Sequence, residues 1–140
     1  MSDSDTNDVI EAALAARDRS VAPFSNFLVG AAVQTQDGKI YTGCNIESAS
    51  YGLTVCAERV AIWKAVSEGE RKFVRLAIAA DTESLTPPCG TCRQIIWEFA
   101  KDAEITLVNR EFKRKIVQIR ELLPLAFDAR FLKEATISRS

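Results

Sequence analysis

Pro87-Pro88-Cys89-Gly90-Thr91-Cys92 is the stretch of this sequence best suited to chemistry. Two cysteines three apart at the start of a helix share one face, so both sulfurs can meet a single ion. The positive end of the helix dipole also favours thiolate over thiol. Such a pair alone has three readings: half a zinc site, a redox dithiol, or two small buried hydrophobes. A second helix start, Thr54-Val55-Cys56-Ala57-Glu58-Arg59, offers another cysteine with a carboxylate two residues on. The chain has four cysteines and no histidine. Any transition-metal site must therefore draw on thiolates and carboxylates, and any acid–base catalyst must be a group other than imidazole.

Between Cys56 and Cys89 the sequence reads as a helix, a strand and a loop. A crossover of that size sets consecutive helices side by side on one sheet face, with their N-termini at the same sheet edge. Cys56, Cys89 and Cys92 can then converge. Three ligands leave the fourth tetrahedral position of zinc open, the catalytic rather than the structural pattern. Zinc lowers the pKa of a bound water from ~15.7 toward ~7, so a zinc-bound hydroxide is the expected nucleophile. Glu58, too near Cys56 in sequence to be a comfortable co-ligand, is the expected proton shuttle. Two readings from other classes stay open: a thioredoxin-type redox centre at Cys89 and Cys92, and a structural zinc module closed by Cys44.

The elements that must position these groups follow from pattern. Thr6-Asn7-Asp8 suggests a cap for a helix over about 8–19, with residues 1–7 frayed. Residues 27–33 and 39–43 flank Gln36-Asp37-Gly38, a hairpin signal, and the first of these strands is apolar enough to be covered on both sides. Thr54 is a possible N-cap for a helix from Cys56 to Glu68, ended by Gly69. Residues 73–80 read as a buried strand, 91–101 as a helix, and 105–108 and 115–119 as two more strands. Leu122-Leu123-Pro124-Leu125 and Phe127 suggest a short terminal helix. The order implies an α/β fold with a single mixed β-sheet of about five strands and helices on its faces. Residues 1–140 read as a single domain.

Composition excludes some functions. With 140 residues, 47% hydrophobic and 26% charged, a core needs no disulfide staples. The net charge of −1, without a basic stripe, argues against a nucleic-acid polymer as partner. No apolar run approaches the length of a membrane span, and the polar, acidic start does not read as a signal peptide. A cytoplasmic location is the expectation.

The metal motif lies within a wider pattern. The stretches 23–32 (Pro-Phe-Ser-Asn-Phe-Leu-Val-Gly-Ala-Ala), 44–52 (Cys-Asn-Ile-Glu-Ser-Ala-Ser-Tyr-Gly), Cys56-Ala57-Glu58-Arg59, 88–94 (Pro-Cys-Gly-Thr-Cys-Arg-Gln) and 121–127 (Glu-Leu-Leu-Pro-Leu-Ala-Phe) resemble those of the small homotetrameric zinc-dependent cytidine deaminases. A three-cysteine metal with a non-ligating glutamate is a known arrangement of zinc nucleobase deaminases. The resemblance implies a three-layer α/β/α fold, one Zn²⁺ per chain and a homotetramer with shared active sites. It implies hydrolytic deamination of free cytidine or deoxycytidine in pyrimidine salvage, with deaminases of other aminopyrimidine nucleosides such as blasticidin S as the alternative. By the same resemblance, Asn45 and Glu47 hold the ribose hydroxyl, Phe27 packs on the pyrimidine and Ala57 reaches the base carbonyl through its backbone. Phe127 comes from a neighbouring subunit, and Arg59 balances the charge of the zinc–thiolate group.

Overall fold

The computed structural model describes residues 3–138. Helix α1 spans Asp3–Arg17, followed by strands β1 (Val29–Thr35) and β2 (Ile40–Cys44), helix α2 (Ala57–Ser67) and strand β3 (Phe73–Ala80). Helix α3 (Gly90–Phe99), strands β4 (Glu104–Val108) and β5 (Arg114–Val117), and helices α4 (Ile119–Leu122) and α5 (Ala129–Ser138) complete the order. The five strands form one mixed sheet in the order β2-β1-β3-β4-β5. Among the five strands of this sheet, β3 and β4 are the pair that run parallel, and α3 provides the crossover between them. The expected α/β class and strand number hold.

Each sheet face has its own core because side chains alternate along a strand. Ala31, Val33, Leu76, Ile78, Ile105 and Leu107 face α2 and α3, where Ala61, Ile62, Ala65 and Ile96 meet them. Ala32, Ala77, Ala79 and Val108 face Val9, Ile10 and Ala13 of α1. The result is three layers, with β1 buried on both sides from Gly30 onward. Gly43 matters most to the site. A Cβ there would sit 2.5 Å from the backbone O of Ala57 and the backbone N of Ala61, so only glycine lets the first turns of α2 lie directly on β2.

The structure corrects several expectations. Residues 3–7 are helical rather than frayed; Met1 and Ser2 lie outside the described residues. Cys56, not Thr54, is the N-cap of α2. Phe27 is in a loop rather than in β1, because Asn26 adopts φ 61 and the Asn45 side chain takes the backbone groups that flank the strand start. The terminal helix expected over residues 122–127 is instead α4, which ends at Leu122; a turn with Leu125 at φ 52 follows, and then a further helix, α5, with no expectation from pattern.

Candidate active site

The two cysteine-bearing helix starts meet at one edge of the sheet. Cys56 caps α2 and Cys89 caps α3, both in extended backbone and neither with a side-chain hydrogen bond to its own helix. A serine or aspartate in those places would add about 1 kcal/mol of capping stability, so both helices forgo a good cap and leave their sulfurs unused by the backbone. Cys92, in the first turn of α3, is fully buried. The three Sγ atoms lie within 4.8 Å of one another. Cys56 Sγ and Cys89 Sγ are 3.7 Å apart. Two sulfurs bound tetrahedrally at ~2.3 Å to one zinc lie about 3.8 Å apart, so the donor set fits that ion. Cys44 does not join them; its thiol points to the carbonyl of Arg19 at 3.5 Å.

Electrostatics follow from this crowding. The Cys56 thiol is lowered to about 5, first by its hydrogen bond with Cys92 and then by the Arg59 guanidinium. Cys92 is pushed the opposite way by its bond to Cys56 and by burial. Arg59 Nη2 lies 3.6 Å from Cys56 Sγ and 3.4 Å from the carbonyl of Thr54. Its guanidinium sits 5.8 Å from the ring centroid of Trp63, one helical turn on. Glu58, in the first turn of α2, is only 4% exposed. Burial raises its carboxyl to about 7, and the charge on Cys56 adds to the effect. A carboxyl so poised takes up and releases a proton near neutrality.

A cavity of about 370 Å³ opens beside this cluster, with Phe27, Asn45, Glu47, Cys56, Ala57, Glu58 and Cys89 on its walls. Its distal end is built from loops. Asn45 Oδ1 accepts from Val29 N at 2.9 Å, and Nδ2 donates to the carbonyl of Phe27 at 2.6 Å. Glu47 Oε1 accepts from the backbone N–H of Phe24 (2.9 Å) and of Ser25 (3.1 Å), while the Ser25 hydroxyl donates to Oε2. That hydroxyl bond, ahead of the backbone ones, holds the Glu47 carboxyl below its ordinary value. Bridges pairing Ile46 with Val21 and with Val55 stitch this loop to its neighbours. On the other side, Arg93 donates to the carbonyls of Pro88 and Leu122, both at 2.8 Å, fixing the loop before Cys89.

The structure thus gathers eight of the sequence-derived residues: Cys56, Cys89, Cys92, Glu58, Ala57, Asn45, Glu47 and Phe27. Arg59 stands behind Cys56 rather than in the cavity wall. Phe127 is not brought to this cavity. Its carbonyl accepts from Gln94 Nε2 at 2.8 Å and its ring stacks on Phe131, more than half exposed. Ser25 lines the cavity and was assigned nothing from sequence, although its place in Pro23-Phe24-Ser25-Asn26 is a turn signal.

Comparison with known proteins agrees with this geometry. Residues 3–108 match the family model described as the cytidine and deoxycytidylate deaminase zinc-binding region. A cytidine deaminase of Halalkalibacterium halodurans is 47% identical over 122 residues, covering 86% of this chain and 92% of that protein. One from Sporosarcina psychrophila is 44% identical, covering 94% and 97%. The crystal structure of cytidine deaminase from Burkholderia pseudomallei superposes with a TM-score of 0.85 at 43% identity, covering 91% of this chain and all of that one.

Proposed function

The chain belongs to the zinc-binding cytidine and deoxycytidylate deaminase family, and we infer from its site that it converts cytidine or deoxycytidine, with water, to the uridine nucleoside and ammonia. The observation that carries this reading is one cavity with three converging cysteines and a buried glutamate at one end, and an amide and a carboxylate at the other. Cys56, Cys89 and Cys92 would hold one zinc ion. When bound, zinc lowers the pKa of water and so supplies a hydrolytic nucleophile at neutral pH.

Glu58 handles the protons. It takes one from the water whose oxygen bonds to C4 of the ring and delivers it to N3. The second proton goes to the exocyclic amine, the C4–N4 bond breaks, and ammonia leaves. A carboxyl raised to about 7 suits both halves of that cycle. The Ala57 backbone N–H, one of the first-turn donors without an intrahelical partner, serves the base carbonyl. The half-buried ring of Phe27 packs on the pyrimidine. Asn45 and Glu47 supply a donor and an acceptor to a ribose hydroxyl. Arg59 offsets the negative charge of a zinc ion with three thiolates.

The same reading makes the enzyme a homotetramer in which Phe127 serves a neighbour's cavity. It is supported by the exposed position of Phe127 and by exposed aromatic side chains beside the cavity: Phe24 and Tyr51, 56% and 80% exposed, line an adjoining hollow that shares Ser25, Glu47 and Thr54 with it. A cytoplasmic site of action fits a chain whose described residues include no helix long and apolar enough to cross a membrane. The test is to incubate the purified protein with cytidine and follow the ultraviolet spectrum. A shift to that of uridine is expected, and an unchanged spectrum at high enzyme concentration would overturn the reading.

A further inference from the structure

The carboxylate of Glu47 is almost fully engaged before any substrate arrives. An ionised carboxylate has about four acceptor directions. Phe24 N and Ser25 N take two on Oε1, and the Ser25 hydroxyl takes one on Oε2. One direction is left, on Oε2. The Ser25 oxygen in turn accepts from the backbone N–H of Phe27 at 3.0 Å, spanning Asn26 in its left-handed conformation. Asn45 is half spent: its amide already donates to Phe27 O and accepts from Val29 N, leaving one N–H and one lone pair on Oδ1. The two side chains together therefore offer a single N–H donor, on Asn45, with one charged acceptor direction on Glu47 beside it, enough to hold one hydroxyl group.

We propose that Ser25 is a positioning residue for sugar recognition: its hydroxyl fixes the one remaining acceptor direction of Glu47 and ties that carboxylate to the backbone of Phe27. The inference rests on the assignment of Asn45 and Glu47 to the ribose. Without the hydroxyl, the two backbone N–H donors still anchor Oε1, so the charge stays in place while Oε2 loses its direction. The loss should fall on discrimination between sugars rather than on the chemical step at the base.

The experiment compares kcat/KM for cytidine with that for 2′,3′-dideoxycytidine, which lacks both ring hydroxyls, in the wild-type enzyme, Ser25→Ala and Ser25→Thr. Zinc content and the thermal melt serve as folding controls. Wild type should prefer cytidine. Ser25→Ala should shrink that preference roughly tenfold, the scale of one misdirected hydrogen bond to a charged group, mostly through KM for cytidine. Ser25→Thr, which keeps the hydroxyl, should restore it. Should the alanine variant melt early, Ser25→Cys, similar in size with a weak donor, gives the same comparison. A wild-type preference that survives intact in Ser25→Ala, or alanine and threonine variants that behave alike, would overturn the role of Ser25 alone. A wild-type enzyme without any preference would overturn the sugar assignment of Asn45 and Glu47, and this inference with it.

Discussion

The two ends of the cavity are built by different means. At the thiolate end, Cys56, Glu58 and Cys92 sit on the first turns of α2 and α3 or cap them, pressed onto the sheet by Gly43 and fixed by Arg93. At the opposite end, Asn45, Glu47, Ser25 and Phe27 sit on loops held by side-chain-to-backbone hydrogen bonds. Helix starts on a packed sheet fix atoms to within the tolerance a metal and a proton transfer demand. Loops can instead aim individual donors and acceptors at a ligand. Damage at the first end should abolish chemistry, and damage at the second should weaken binding.

The largest effect is expected from Cys89→Ala. Zinc and turnover should both be lost, and the melting temperature should fall, because metal binding contributes to folding. Metal analysis and a thermal melt check this together; an active variant with full zinc would show that Cys89 is not a ligand. Glu58→Gln keeps the shape of the side chain and removes its proton chemistry. Its zinc content should stay at one per chain while kcat falls roughly 10³-fold, within the usual range for a positioned acid–base group. Turnover near that of wild type would remove Glu58 from the mechanism.

How these two ends could be read from sequence also differs. Cys56, Glu58, Cys89 and Cys92 were legible because spacing, helix starts and the lack of histidine narrow the chemistry to a few readings, among which the family pattern selects the open zinc site. Asn45 and Glu47 carried no such signal. An Asn and a Glu in a polar connection are ordinary loop residues, and only the family pattern singled them out. Ser25 was invisible because its role depends on a hydrogen bond between residues 22 positions apart. Sheet class and strand number were legible for the same reason as the cysteines: period and turn chemistry are local. The α1 start, the loop placement of Phe27 and helix α5 were not, since each is decided by a terminus or by side chains capping distant backbone.

A substitution at the loop end sharpens the contrast. Asn45→Ala leaves the N–H of Val29 and the carbonyl of Phe27 without their partner, which should cost about 2 kcal/mol of stability. Cytidine KM should rise more than kcat falls, as steady-state kinetics and denaturant melts would show. A loss confined to kcat would place Asn45 in the chemistry and erase the division of labour. Arg59→Ala should have the smallest effect, roughly a tenfold slower turnover with zinc retained, as for other groups that tune a metal from behind its ligands. An unchanged rate would remove the guanidinium from the charge balance of the site.

The central claim is an open, three-thiolate zinc site. Zinc-edge X-ray absorption on the purified, zinc-loaded protein tests it directly. Three sulfurs at ~2.3 Å and one lighter ligand are predicted. Four sulfurs would mean that Cys44 closes the site, and fewer than three would break the convergence of Cys56, Cys89 and Cys92; either result contradicts the account.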